Sequence, residues 1–289
     1  MLISIASGKG GTGKTTVAVN LALALTVTEN IQLLDCDVEE PNSHIFLKPE
    51  VKEEKPVCIK VPKIDRKRCD CCGKCSDFCE FNALFVVRRD LDKDIKGDVL
   101  TFPNLCHGCK GCAIVCPNDA ITYENRVMGV VKKCDVDGMN FVYGELNVGE
   151  PMAVPVIKAV KNEIDDKKTV MIDSPPGTSC PAINSIYGSD FCILVTEPTP
   201  FGLYDMRLMV DVLRELKIPF GVIINRAGIG DEGVYDYCKS EGIDIMLEIP
   251  YDRRIAELYA TGSTFVDEIE GWKDKFSNLF EEIKTVVER

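Results

Sequence analysis

Nine residues near the start of the chain constrain its fold more than any others: Gly8-Lys9-Gly10-Gly11-Thr12-Gly13-Lys14-Thr15-Thr16. A short apolar run, Leu2 to Ala6, precedes them and reads as a buried strand. A longer one, Val17 to Leu25, follows and reads as a helix. Gly8-x4-Gly13-Lys14-Thr15 between a strand and a helix is the pattern of a loop that wraps phosphate. The glycines let successive backbone N–H groups point inward, and the helix N-terminus adds partial positive charge. Lys14 reaches β- and γ-phosphates, and the Thr15 hydroxyl is placed to ligate Mg²⁺. A turn that binds nothing would account for the glycines, but not for lysine, threonine and helix in that order.

Strand-like and helix-like segments alternate over most of the remaining chain. Ile31–Leu34, Thr169–Ile172, Phe191–Val195, Phe220–Ile224 and Ile243–Ile249 read as strands. Pro155–Ile164, Leu203–Leu216 and Glu232–Ser240 read as helices. That rhythm predicts an α/β fold, a doubly wound, mostly parallel sheet covered on both faces. The texture changes between about Lys60 and Asn125, where nine cysteines fall, eight of them in two regularly spaced groups. The expected organisation is a discontinuous domain of residues 1–58 and 127–289, carrying an inserted domain of residues 59–126. Charge divides along the same line. Residues 56–126 hold 12 basic and 10 acidic residues, the remainder 22 and 36.

Fifteen cysteines are an odd number, and without a leader before the first strand the expected location is the cytoplasm, where disulfides are not relied upon. Metal ligands and buried thiols are the remaining readings. The groups are Cys69-x2-Cys72-x2-Cys75-x3-Cys79 and Cys106-x2-Cys109-x2-Cys112-x3-Cys116-Pro117. Doubled in this way, the spacing is that of a two-cluster bacterial ferredoxin, in which three thiolates of one run and the last of the other hold each 4Fe–4S cube. Cys69, Cys72, Cys75 and Cys116 are then expected on one cluster, and Cys79, Cys106, Cys109 and Cys112 on the other. Zinc sites take ligands in pairs and do not explain the doubled spacing. Glu80 replaces the proline after the first run. Cys71 is out of register, either a bystander or a substitute ligand. Arg66-Lys67-Arg68 is either a docking site for an acidic redox partner or a solvated turn. His107 sits where it could tune the second cluster, and His44 reads as structural.

The nonapeptide resembles the deviant phosphate loop of the MinD/ParA family of ATPases, in which the early lysine, here Lys9, reaches across a dimer to the partner's nucleotide. Leu33-Leu34-Asp35-Cys36-Asp37 resembles the strand leading to that family's first switch, and Val170 to Thr178 its Walker B strand and second switch. The resemblance implies that Asp37 orients the attacking water or a Mg²⁺-bound water near the γ-phosphate, that Thr15, Asp37 and Asp173 make the Mg²⁺ site, and that Gly177 approaches the γ-phosphate. Asn225 and Arg226 resemble the adenine-contacting pair, and Pro250-Tyr251-Asp252 the loop over the base. Lys9, Lys14 and Asp37 are the expected catalytic residues, and Gly8, Gly10, Gly11, Thr12, Gly13 and Thr16 complete the ATP or ADP contacts.

Cys180 falls seven residues after Asp173, as a cluster cysteine does in the nitrogenase iron protein. The second cysteine of that family has no counterpart here, and the CxxC of Mrp-type scaffolds is missing after residue 180. The resemblance thus implies an ATP-dependent homodimer with two clusters. Its role is ATP-gated electron transfer to a redox protein or, alternatively, delivery of iron–sulfur clusters to an acceptor. A net charge of −12 argues against nucleic-acid binding. The last segment, Trp272–Arg289, carries four positive and four negative charges, unlike a basic membrane-binding helix.

Overall fold

The computed structural model describes residues 1–87 and 97–288. They divide into two units: Met1–Lys55 with Val130–Leu146 and Val156–Arg289, and Pro56–Gly129 with Asn147–Pro155. In chain order the elements are β1 (Leu2–Ala6), α1 (Lys14–Leu25), β2 (Ile31–Asp35), α2 (Ser43–Leu47), β3 (Glu50–Ile64), α3 (Lys74–Phe78), β4 (Leu84–Val87) and β5 (Asp98–Thr101). Then come α4 (Gly111–Ile114), β6 (Ile121–Val136), β7 (Met139–Leu146), α5 (Val154–Lys161), β8 (Thr169–Asp173), α6 (Cys180–Ile186), β9 (Phe191–Thr196) and α7 (Pro200–Leu216). The chain ends with β10 (Phe220–Ala227), α8 (Gly233–Glu241), β11 (Ile245–Pro250), α9 (Arg253–Ala260), α10 (Phe265–Glu268) and α11 (Trp272–Val287).

The larger sheet runs β11-β10-β9-β1-β8-β2-β7-β6-β3. From β11 through to β7 each neighbouring pair is parallel. β1, β2 and β8 are buried almost throughout, as a sheet covered on both faces requires. Parallel register brings Asp35 level with Asp173 at the carboxyl ends of β2 and β8. β6 turns into β7 through Asp137 and Gly138, both at positive φ, the conformation a tight hairpin turn demands.

On one side of this sheet α1 packs with α11. Trp272, Phe276, Leu279, Phe280 and Ile283 of α11 are all buried in that core, each contributing roughly 1.5–3 kcal/mol. Asn20 interrupts the apolar run of α1 for a reason the structure supplies. Its amide donates to Thr16 O at 2.7 Å, and its carbonyl accepts from Val266 N at 2.9 Å, tying α10 to α1. Among the described residues no helix is long and apolar enough to cross a membrane.

In the second unit the cysteine repeat is also a repeat of backbone shape. The chain enters the left-handed region at Cys71 and Gly108, at Gly73 and Lys110, and at Asn82 and Asp119. Each pair holds equivalent places in the two runs. A short helix follows in each run, α3 then α4, and Phe78 lies so close that a Cβ on Gly111 would fall 2.1 Å from its ring. β4 and β5 form an antiparallel pair whose inner residues Leu84 and Val99 are buried with Cys112 and Ile121.

Candidate functional site

The glycine loop leaves β1 and is held from three directions. Ser7 Oγ donates to Lys9 O at 2.6 Å, Gly177 N donates to Ser7 O at 2.9 Å, and Asn225 Nδ2 donates to Thr12 O at 2.8 Å. Two glycines are sterically required. A Cβ on Gly8 would lie 2.1 Å from Asp205 O, and one on Gly13, at φ 96°, would lie 2.3 Å from Asn225 Nδ2. Lys14 is only 6% exposed. The loop opens on a cleft of about 630 Å³. Gly10, Gly11, Gly13, Lys14, Thr15, Thr16, Asp37, Asn225, Arg226 and Pro250 all line it. Gly8, Thr12 and Gly177 shape the loop instead. The sequence reading did not single out Ile255, Ala256 and Tyr259 of α9, which line the cleft beside Tyr251 and Asp252. Asp252 caps that helix, accepting from Arg254 N at 2.7 Å. An amphipathic helix directly after Pro250-Tyr251-Asp252 was the available signal.

Three carboxylates crowd the phosphate end. Asp35 is fully buried and accepts from the backbone N–H groups of Asp37, Asn42 and Ser43 at 3.0, 3.2 and 3.0 Å. It thereby shapes the segment that presents Asp37, whereas the sequence reading gave Asp35 no role of its own. Burial, and then the Asp35 charge, pushes Asp173 well above the usual carboxylate range, while Lys14 and a hydrogen bond with Thr15 oppose the rise. Asp173 Oδ1 is buried without a hydrogen-bond partner. An orphaned carboxylate oxygen beside the Thr15 hydroxyl suits the water shell of a Mg²⁺ ion, which keeps several of its waters.

Asp37 is pushed up to about 7, first by burial and next by Asp35. The folded protein therefore retains a proton that the unfolded chain releases from about pH 4 upward, and stability falls as pH rises from there towards 7. Asp37→Asn removes this cost. Without nucleotide and Mg²⁺, the variant should be more stable than the parent at pH 7.5, by on the order of 2 kcal/mol, and by less than half of that at pH 5. Urea unfolding at the two pH values measures this, and a variant less stable at pH 7.5 would contradict it.

Lys9 turns to its own chain: its Nζ lies 3.1 Å from Glu197 Oε2, while Arg226 holds Glu197 Oε1 at 2.8 Å. Glu197 is 6% exposed. The sequence reading missed it, although an acid at the end of β9 before Pro198 was a visible signal.

In the second unit one cavity is lined by Cys69, Cys71, Cys72, Cys75 and Cys116, with apolar walls from Ile64, Val86, Val99 and Ile121. A separate one, about 530 Å³, is lined by Cys79, Cys106, Cys109 and Cys112 with Phe78, Phe81, His107 and Tyr123. In each, the last cysteine of one run meets the three closely spaced cysteines of the other. Backbone N–H groups aim at the sulfurs: Ala83 N to Cys79 Sγ at 3.3 Å, Ala120 N to Cys116 Sγ at 3.4 Å, and Gly108 N to Cys106 Sγ at 3.4 Å. Such donors favour thiolate and tune a metal centre. Among the described residues no three His, Cys, Asp or Glu side chains converge tightly enough for one metal ion. The four thiols of the second cavity stand around a space of about 530 Å³, whereas the space among Cys69, Cys71, Cys72, Cys75 and Cys116 is about 20 Å³.

His107 stacks on Phe81 with ring centroids 3.6 Å apart, and His44 stacks on Tyr143 at 5.3 Å. Arg66 pairs with Asp98, and Arg68 with Asp65 at 3.7 Å. Cys180 is exposed at the start of α6.

A profile of the CobQ/CobB/MinD/ParA nucleotide binding domain matches residues 3–265. A Methanocaldococcus jannaschii protein described as uncharacterized, MJ0579, is 31% identical over 94% of this chain and 97% of its own length. An iron-sulfur cluster carrier protein of Pyrococcus abyssi is 25% identical, over 91% of this chain and 78% of its own. Among solved structures, the septum site-determining protein MinD of Pyrococcus horikoshii, complexed with Mg-ADP, superposes with a TM-score of 0.60. It is 19% identical, covering 99% of this chain and 96% of that one. The chain belongs to the CobQ/CobB/MinD/ParA nucleotide-binding family and has its α/β phosphate-loop fold.

Proposed function

We propose that this member of the family is a dimeric, ATP-hydrolysing protein that carries two 4Fe–4S clusters in the inserted segment and uses nucleotide state to gate electron transfer to a redox partner. The observation that carries the reading is the pair of cysteine-lined cavities, each taking its fourth thiol from the other run. ATP fits the cleft with its phosphates on the Gly8–Thr16 loop and its base towards Asn225, Arg226, Pro250 and Tyr259. Lys14 draws charge from the β- and γ-phosphates. Thr15 and Asp173 hold Mg²⁺, the metal that neutralises developing phosphate charge. Asp37 orients the attacking water and, with its raised pKa, is able to accept a proton near neutral pH. The inserted segment leaves the chain after Asp37 and rejoins it before Asp173, so both nucleotide-sensing segments flank it in sequence.

In the dimer Lys9 leaves Glu197 and completes the partner's site. Lys9→Ala should bind nucleotide almost as the parent does. Its turnover should fall ~10²-fold, and a non-hydrolysable ATP analogue should no longer drive dimer formation. Sedimentation and phosphate release read both, and a variant that dimerises and turns over normally removes the in-trans role.

A second reading, delivery of clusters to an acceptor, draws on the relative named an iron-sulfur cluster carrier protein. Incubating the loaded protein with a chelator and an apo-acceptor separates the two. Clusters that stay put and pass electrons support gating, whereas clusters that move to the acceptor in an ATP-dependent way support delivery.

A further inference from the structure

The two cysteine cavities are not equivalent. The one bounded by Cys79, Cys106, Cys109 and Cys112 has four thiols, the number a cube takes, whereas the other has five. The surplus thiol is Cys71, which stands at the place held in the second run by Gly108. Both residues are in the left-handed region, at φ 56° and 68°. That conformation suits glycine and opposes a side chain, so a cysteine there needs a reason. Its surroundings make room for it. A Cβ on Gly97 would come 2.9 Å from Cys71 Cβ and 3.0 Å from its Sγ, so glycine at 97 is what lets the thiol occupy its position. The Cys71 side chain lines the same cavity as Cys69 and packs in the same apolar cluster as Cys69, Cys75 and Cys116. In the second run the equivalent residue, Gly108, can offer Cys106 only its backbone N–H.

We infer that Cys71 is a reserve ligand for the cluster of the first cavity, able to take the place of Cys69. The inference rests on the proposed two-cluster reading. In the exchange the iron–sulfur bond to Cys69 breaks and one to Cys71 forms on the same iron. The Cys71 proton passes to the departing Cys69 thiolate, and no oxidation state changes. When Cys69 is absent, Cys71 binds directly and its proton goes to solvent.

The test is iron and sulfide content, with electron paramagnetic resonance of the reduced protein, after anaerobic reconstitution. The parent should hold roughly eight irons, and Cys106→Ala, which has no spare thiol, roughly four. Cys69→Ala should stay near eight with an altered spectrum, and Cys69→Ala/Cys71→Ala should fall to about four. Cys69→Ala falling to the level of Cys106→Ala, in a protein that still binds nucleotide, overturns the inference while leaving two clusters in the parent. A parent that takes up no iron overturns the two-cluster reading and this inference together. Should Cys69→Ala fail to fold, Cys71→Ala answers the same question. Chelator should strip its first cluster several-fold faster than in the parent, because a departing Cys69 has no replacement, and an unchanged rate overturns the role.

Discussion

In Lys14→Ala, ATP affinity should fall by at least ~10³-fold and turnover should disappear. Two losses combine. In the proposed binding mode the ammonium is the side-chain charge sent to the β- and γ-phosphates, and it is 6% exposed, so water screens it little. It is also the counter-charge that opposes the upward shifts of Asp37 and Asp173. Without it, the phosphate end of the cleft loses the cation that balances its crowded carboxylates. Lys14→Arg keeps the charge, but a planar fork does not match a point charge buried in a loop so tight that a Cβ on Gly13 would lie 2.3 Å from Asn225 Nδ2. It should recover little. Calorimetric titration with ATP and Mg²⁺ measures both variants. An alanine variant within threefold of the parent would mean that the cleft binds its ligand elsewhere.

This part of the molecule was legible from sequence because its chemistry is local. Strand, loop and helix are contiguous in Leu2–Leu25, and the residues that wrap phosphate lie within nine positions of one another. What the sequence withheld depends on distant packing. Asp35 reads as one more acid before Asp37 until the fold buries it against three backbone N–H groups. Glu197 acquires a role only when β9 lies beside β1 and β10, bringing Lys9 and Arg226 to it.

Secondary structure divides in the same way. The buried strands around β1 were visible as apolar runs, whereas β3 was not. Its Glu50-Val51-Lys52-Glu53-Glu54-Lys55 stretch is exposed and charged, as a sheet edge tends to be, and such a segment resembles coil. β7 was missed because Gly144 breaks its apolar pattern. There a Cβ would come within 2.7–2.8 Å of Val38, Val156 and Val160, so the glycine is a packing requirement. The cysteine spacing was legible, but the five-thiol composition of one cavity was not, because Cys71 contributes through a backbone turn that spacing does not encode.

The crossed arrangement of the cysteines should be visible in double variants. Anaerobically prepared parent protein should hold roughly eight irons and eight sulfides per chain, and Cys116→Ala or Cys79→Ala alone roughly half of each. Those single losses do not say which thiols belong together, since halving follows from any two groups of four. The pairings do. Cys75 and Cys116 line the same cavity although 41 positions apart in sequence, while Cys79, four positions from Cys75, lines the other. Cys75→Ala/Cys116→Ala therefore damages one site twice and should retain about four irons, whereas Cys75→Ala/Cys79→Ala damages both and should retain almost none. If the runs instead bound metal independently, each using its own four cysteines, the outcomes would reverse. Cys75→Ala/Cys79→Ala would then keep half and Cys75→Ala/Cys116→Ala would keep nothing. Zinc at one or two atoms per chain, with no iron after reconstitution, would sink both arrangements. The crossed result is the physically expected one. Ala83 and Ala120 turn their N–H groups onto Cys79 and Cys116. Each bond fixes a last-cysteine sulfur within its own turn, and the cavity linings put Cys79 with the second run and Cys116 with the first.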